Sequence, residues 1–269
     1  MAQIDLTGRR ALVTGGAQGL GEGMARALAA AGAAVVIADL QDELGPKVAE
    51  SLGDGSGFVH LDVTDDDGWA RAVEQAIGIL GGLDIVVNNA GVEITSLIVD
   101  LEPAAVRKML EVNLLGTALG LKHAFRAMRP GGAASERSGN PGGVVINVAS
   151  VAATIAFPAI SVYSATKSGV DRLTRVAAME SGKLGYGVRV NCIYPGLVPT
   201  AMGAGLANDV ARIGLFGSPE EAVGAVVELT PSGRLGEVGD MADAVVFLAS
   251  DAARFINGAG LPVDGGMGM

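Results

Sequence analysis

The sequence predicts an α/β protein: a doubly wound parallel sheet, Rossmann-like, with helices on both faces. Three observations carry that expectation. Strand signals such as Ala34-Val35-Val36-Ile37-Ala38 and Val144-Val145-Ile146 are apolar throughout instead of alternating, as strands covered on both faces are. Stretches of helix formers separate them, so strand and helix alternate along the chain. The first strand ends in a glycine cluster that opens a helix, which places a ligand site at the carboxyl ends of the strands. Residues 1–269 read as one domain, without internal linker or repeat.

Taken in order, Arg10 to Thr14 is a buried strand, and Leu20 to Ala31 is a helix closed by Gly32. Ala34 to Asp39 and Gly57 to Leu61 are strands, each followed by a helix, over Glu43 to Leu52 and Trp69 to Leu80. Asp84 to Asn88 is a fourth strand. A long helical region then runs from about Pro103, whose missing N–H is harmless in a first turn, to Met128. Gly143 to Val148 is the fifth strand, Ser161 to Lys183 a long helix, Val188 to Ile193 the sixth strand and Met241 to Leu248 the last helix. Leu261 to Asp264 reads as a short edge strand, where Pro262 is tolerated. Two segments break the rhythm. Residues 129–142 are polar and turn-rich, a surface loop. Residues 196–234 mix glycines with Met202, Leu206, Ile213, Leu215 and Phe216, either a loop closing over a substrate or an excursion packed by its own side chains.

The composition, 49% apolar, supports a substantial core, yet no apolar run reaches the ~18 residues of a membrane span. A net charge of −10 argues against nucleic acid and anionic membranes as partners. The lone Cys192 excludes an internal disulfide, suits a reducing compartment and sits in a strand as an inert core thiol. The N-terminus lacks a basic segment followed by an apolar one, so no signal peptide is expected and the cytoplasm is the default location.

Between the first strand and helix lies Thr14-Gly15-Gly16-Ala17-Gln18-Gly19-Leu20-Gly21. Glycines at 15, 19 and 21 remove Cβ atoms where the chain turns tightly and meets a phosphate, and the helix start offers free N–H groups and a positive dipole end. Asp39 ends the next strand, where a carboxylate can accept both ribose hydroxyls of an adenosine and repel a 2′-phosphate. Neither Gln18 nor Leu40 brings a positive charge, so NAD is expected over NADP. A helix N-cap role for Asp39 is compatible with that.

Tyr163 and Lys167 are i and i+4 on the long helix, one turn apart on one face. An ammonium beside a phenol favours the phenolate and lowers its pKa, which makes a candidate acid/base. Spacing alone equally fits an amphipathic helix with a half-buried tyrosine.

With these motifs in this order, the chain resembles the short-chain dehydrogenase/reductase family over essentially its whole length. The glycine pattern from Thr14 to Gly21, Asn88-Asn89-Ala90-Gly91, Asn113, Ser150 thirteen residues before Tyr163, and Pro195-Gly196 followed by Thr200 all stand at the family's positions. The resemblance implies that Asn113, Ser150, Tyr163 and Lys167 are catalytic: Tyr163 moves the proton, Lys167 tunes it and holds the nicotinamide ribose, Ser150 binds the substrate oxygen, and Asn113 holds a proton-relay water. It implies cofactor contacts from Gly15, Gln18, Gly19, Leu20, Gly21, Asp39, Leu40, Asp62, Val63, Asn89, Ala90, Gly91, Pro195, Gly196, Val198 and Thr200, and no metal.

The substrate pocket is expected to be bordered by Ser150, Ala152, Phe157, Tyr163 and Leu197, with Val151 nearby. Mostly apolar and without an arginine clamp, it favours a neutral hydrophobic alcohol or ketone, alicyclic or steroid-like. Glu93 is expected to be solvated or paired with a cation, contact with a polar substrate group being the other reading. A 3-oxoacyl thioester reductase and a non-catalytic nucleotide-binding regulator are the alternatives. Small residues on two helices (Ala118, Gly120, Ala124; Ala165, Gly169, Ala177, Ala178) permit close packing, and the resemblance implies a homotetramer.

Overall fold

The computed structural model describes residues 4–139 and 142–269. Met1-Ala2-Gln3, part of the N-terminal segment read above, and Asn140-Pro141 of the polar loop lie outside them.

Seven strands form one parallel sheet: β1 (Arg10–Thr14), β2 (Ala34–Asp39), β3 (Gly57–His60), β4 (Ile85–Asn88), β5 (Gly143–Val148), β6 (Val188–Pro195) and β7 (Gly260–Val263). Their order is β3-β2-β1-β4-β5-β6-β7, so β1 pairs with β2 on one side (Ala11 with Val35) and with β4 on the other (Ala11 with Ile85). The winding reverses between β1 and β4, which opens a crevice at their carboxyl ends. β7 is an edge strand and carries Pro262, as expected.

Ten α-helices complete the described chain: α1 (Gly19–Ala30), α2 (Gly45–Ser51), α3 (Asp66–Leu80), α4 (Pro103–Met109), α5 (Gly116–Met128), α6 (Ala133–Ser138), α7 (Ser161–Leu184), α8 (Ala201–Arg212), α9 (Pro219–Leu229) and α10 (Val238–Ala249). Met24 and Leu28 of α1 and Met241, Val245 and Leu248 of α10 pack on one face of the sheet, against Val13, Ile37 and Ile146. Trp69 and Ala76 of α3, Leu121 and Ala124 of α5 and Ala177 of α7 cover the other, over Leu12, Val36, Val86 and Val145. No helix among the described residues is long and apolar enough to cross a membrane.

Local chemistry sets the helix ends. The Asp65 carboxylate accepts the Asp67 N–H at 3.0 Å to start α3, and left-handed Gly81 stops it. Gly185, at φ +68°, stops α7. Two buried polar ties lock the sheet. Arg10 donates to both oxygens of Asp84 at 2.6 and 2.8 Å at the amino ends of the strands. Asn88 donates to Asn147 at 2.8 Å and Asn147 to Thr174 at 2.9 Å, joining β4, β5 and α7.

Three expectations are corrected. The helical region from 103 to 128 is interrupted by a π-helical turn at Leu110–Leu115, which inserts a wider ring of backbone between α4 and α5. The polar segment 129–142 holds the short helix α6, ended by Gly139 in the left-handed region. Residues 196–234 are largely helical rather than an irregular loop. The Thr200 hydroxyl accepts from Gly203 N–H to cap α8, and the Ser218 hydroxyl accepts from Glu221 N–H at 3.2 Å to cap α9, with Pro219 in its first turn.

Candidate active site

The crevice is a cavity of about 730 Å³. It runs from Asp39 and Asp62 over the glycine loop, past Asn89-Ala90-Gly91, to Ser150, Tyr163 and Lys167, roofed by α8 and α9. Every residue expected to touch cofactor or substrate lines it except Gly21, which lies behind the wall with Asn113.

The glycines do different work. Gly15 and Gly19 are left-handed, at φ +62° and +59°. A Cβ on Gly21 would fall 2.0 Å from the Gly15 carbonyl oxygen, so Gly21 lets the helix close on the loop. A Cβ on Gly19 would meet nothing nearer than Thr200, at 3.8 Å, leaving open space above the start of α1. The Gln18 side chain makes no cap there, so the first-turn N–H groups face that space. An anionic diphosphate fits this cradle. Asn89 pins the loop from below, donating to the Thr14 and Gly15 carbonyls at 2.9 and 3.1 Å.

Asp39 stands at the end of β2 and accepts the Ala17 and Gln41 N–H groups at 3.0 and 3.1 Å. Those bonds orient it and leave lone pairs for ribose hydroxyls. The cations lining the cavity are Lys108 and Lys167, neither of them on the Asp39 segment or the glycine loop. The Asp62 carboxylate is bound to Thr64, at 2.9 Å to its N–H and 2.8 Å to its hydroxyl. Val63 packs beneath the start of α5, where a Cβ on Gly116 would strike it.

At the other end Ser150 caps a short 3₁₀ turn, accepting the Ala152 N–H at 3.1 Å, and its hydroxyl lies near enough to the Tyr163 phenol to favour its ionised form. Lys167 Nζ lies 5.6 Å from the Tyr163 ring centre and donates to the Val148 carbonyl at 2.8 Å. Burial pushes the Lys167 ammonium down to about 8. Burial likewise pushes Tyr163 up to about 12, against the Ser150 hydroxyl and helped by the charge of Glu93. The expected lowering by Lys167 is not among the causes of this shift, which burial dominates. Asn113, fully buried on the π turn, accepts the Val92 N–H at 2.8 Å and donates to the Val92 carbonyl and the Thr166 hydroxyl at 2.8 and 3.1 Å. Its amide therefore clamps the chain leaving β4 onto α7, work that sequence reasoning did not assign to it.

The substrate end holds Ala152, Phe157 and Leu197, as expected, and also residues that sequence reasoning missed: Val92, Ile160, Ala222, Val226 and Leu229 of α9, and Met267 near the C-terminus. The α9 residues had a signal in Ser218-Pro219-Glu220-Glu221, a helix start; Met267 had none. Glu93 faces this end with no cation paired to it among the described residues, so the expectation of a solvated or paired carboxylate is corrected. Burial raises it to about 7, against a hydrogen bond from Thr95 and reinforced by Asp209.

Comparison with known proteins agrees with this geometry. Residues 15–268 match the family model described as Enoyl-(Acyl carrier protein) reductase. Trans-4-hydroxycyclohexanecarboxylate dehydrogenase of Sinomonas cyclohexanicum is 38% identical, over 95% of this chain and 91% of its own. The 3-alpha-(or 20-beta)-hydroxysteroid dehydrogenase of Mycobacterium tuberculosis is 37% identical, over 97% and 90%. Among solved structures, 3-ketoacyl-(acyl-carrier-protein) reductase from Brucella melitensis complexed with NADH superposes with TM-score 0.85 at 30% identity, over 98% and 100% of the two chains. Gluconate 5-dehydrogenase from Burkholderia cenocepacia J2315 in complex with NADP and tartrate does so with TM-score 0.85 at 33% identity, over 98% and 97%. The chain thus belongs to the short-chain dehydrogenase/reductase family, nicotinamide-dependent oxidoreductases that interconvert alcohols and carbonyl compounds.

Proposed function

We propose that this chain is an NAD-dependent dehydrogenase of a neutral, hydrophobic secondary alcohol, alicyclic or steroid-like, or equally a reductase of the matching ketone. The observation that carries the reading is one cavity lined by the Asp39 carboxylate at one end and by Ser150, Tyr163 and Lys167 at the other. The ring and steroid frames named for the relatives support an alicyclic or steroid-like frame, and the apolar lining without an arginine supports its neutrality. Asp39, with no cation beside it, supports NAD over NADP.

The glycine loop, Asn89-Ala90-Gly91 and Pro195 to Thr200 would hold the cofactor, which supplies the hydride acceptor or donor. Ser150 holds the substrate oxygen and stabilises charge developing there. Tyr163 takes the alcohol proton in oxidation and returns it to the carbonyl oxygen in reduction. The Lys167 ammonium, anchored on Val148, favours the phenolate that burial opposes and is placed to hold a ribose hydroxyl. Asn113, its side-chain NH2 spent on Val92 and Thr166, positions the chain beside Lys167, and its main-chain oxygen, which accepts the Thr117 hydroxyl at 2.8 Å, keeps a lone pair for a relay water. The single buried Cys192, its thiol pushed up to about 11 by burial, suits a reducing compartment such as the cytoplasm. We place the active form as a homotetramer.

The test is a 340 nm screen with NADH and NADPH against alicyclic ketones, steroids and 3-oxoacyl thioesters. Turnover of alicyclic or steroid ketones with a preference for NADH is expected. Turnover confined to thioesters with NADPH would establish the acyl reductase instead, and NADH binding without any turnover would establish a regulator.

A further inference from the structure

We infer that Glu93 selects the substrate by accepting a hydrogen bond from a second hydroxyl, so that the preferred substrate is an apolar-framed alcohol bearing another hydroxyl group. The inference rests on the alcohol–ketone reading and narrows it.

Glu93 lies two residues beyond Gly91 and lines the same cavity as Tyr163, close enough for its charge to act on the phenol. The cavity it faces is also lined by the apolar Val92, Ile160, Leu206, Val210 and Phe216. The Thr95 hydroxyl, with one proton to give, lies 3.0 and 3.1 Å from the two Glu93 oxygens. Most of the carboxyl's acceptor capacity is therefore left open to the cavity.

The charged groups nearby do not satisfy it. Asp209 on α8 is of like sign and is paired with Arg212 at 2.9 Å. Lys167 is anchored on Val148, and Lys108 is exposed on α4. A half-buried carboxyl without a cation in an apolar chamber is unfavourable unless a ligand's donor satisfies it. A hydroxyl does so at little desolvation cost. Above about pH 7, where Glu93 is ionised, a carboxylate at the same place would meet two like charges, Glu93 and Asp209, and be repelled.

A site built to bond a hydroxyl discriminates strongly against the analogue that lacks it. The test measures steady-state kcat/KM with NAD for cyclohexanol, the isomeric cyclohexanediols, aminocyclohexanol and hydroxycyclohexanecarboxylate, on the wild-type protein, Glu93→Gln and Glu93→Leu. The wild type is expected to prefer at least one diol over cyclohexanol by about tenfold or more. Glu93→Leu should erase that preference, mainly through KM, and Glu93→Gln, whose amide oxygen still accepts, should keep part of it. The hydroxy acid should be the poorest wild-type substrate and improve in Glu93→Gln. Melting curves show whether both variants are folded, and the diol-to-cyclohexanol ratio is read within each variant, so a general loss of activity does not imitate the effect. An unchanged ratio in Glu93→Leu, a wild type indifferent to the second hydroxyl, or a preference for the ammonium or the carboxylate substrate would each overturn the inference while leaving the dehydrogenase reading intact. No turnover of any alcohol with either cofactor would sink both.

Discussion

Tyr163 and Lys167 are a pair in which each buried group is pushed toward neutrality, Tyr163 up to about 12 and Lys167 down to about 8. A protein that needs a phenolate must overcome that with charge, so the hydroxyl of Tyr163 matters more than its ring. Tyr163→Phe is expected to lower kcat by about a hundredfold or more, within the range of general acid–base catalysis, with NADH affinity nearly unchanged by fluorescence titration. Substantial residual turnover would remove Tyr163 from the proton path. Glu93 gives a separate, thermodynamic readout. Its carboxyl is raised to about 7 in the folded chain and returns to the ordinary glutamate range on unfolding. The stability tied to its neutral form is therefore complete below that ordinary range and lost as pH rises through about 7. The wild-type Tm should fall relative to Glu93→Gln as pH rises from about 4.5 to about 7 and run parallel above that, whereas curves parallel throughout would show that Glu93 titrates normally.

The elements that position these residues depend on close approaches between backbone and polar side chains. A Cβ at position 120 of α5 would lie 2.1 Å from Asn88 Oδ1, inside the Asn88–Asn147–Thr174 tie. Gly120→Ala should cost about 1–3 kcal/mol, as overpacking does. At roughly 2–4 °C per kcal/mol for a chain of this size, Tm should drop by about 2 to about 12 °C in a thermal melt. An unchanged Tm would mean that α5 shifts freely. What the sequence discloses of such elements follows from locality. All seven strands are legible in the sequence, most of them as apolar runs, and the glycine loop as a strand–glycine–helix join, because both are contiguous in the chain. The π turn at Leu110–Leu115 carries no proline or glycine break, since it answers to Asn113 meeting Val92 and Thr166, contacts made across the fold. Glu93 is visible as a residue but not as an unpaired one, because Tyr163 and Asp209, which face it, come from α7 and α8. The helices α8 and α9 had caps in plain sight at Thr200 and Ser218 and were obscured by the glycines between them.

For the whole molecule, the small residues offered for subunit contacts are largely used within the chain. Ala124, Ala177 and Ala178 lie in its own core, Gly120 faces Asn88, and Gly169 faces Leu114. The outward faces carry larger apolar groups instead: Leu110, Leu115, Val176 and Met179, the last 67% exposed, and Phe255, wholly exposed. Scattered singly, such groups are ordinary on a protein surface, so the proposed tetramer rests on the family and not on them. Size-exclusion chromatography with light scattering should give a species of about four times the 26.9 kDa chain mass, and a clean monomer would refute the tetramer.

The reversal of winding between β1 and β4 also has a consequence in time. The two strands meet through the tie of Arg10 to Asp84, 74 residues apart, and through Asn89 reaching Thr14, 75 apart. Contacts of such long separation close late, because the loop entropy must be overcome before they reward the chain. The adenosine half, from β1 to β3, is made of short-range units, whereas the proton-handling half waits for more than a hundred further residues. The cofactor crevice thus lies on a seam between a half closed by short-range contacts and a half closed by long-range ones, and on contact separation alone the Asp39 end is expected to form before the Tyr163 end.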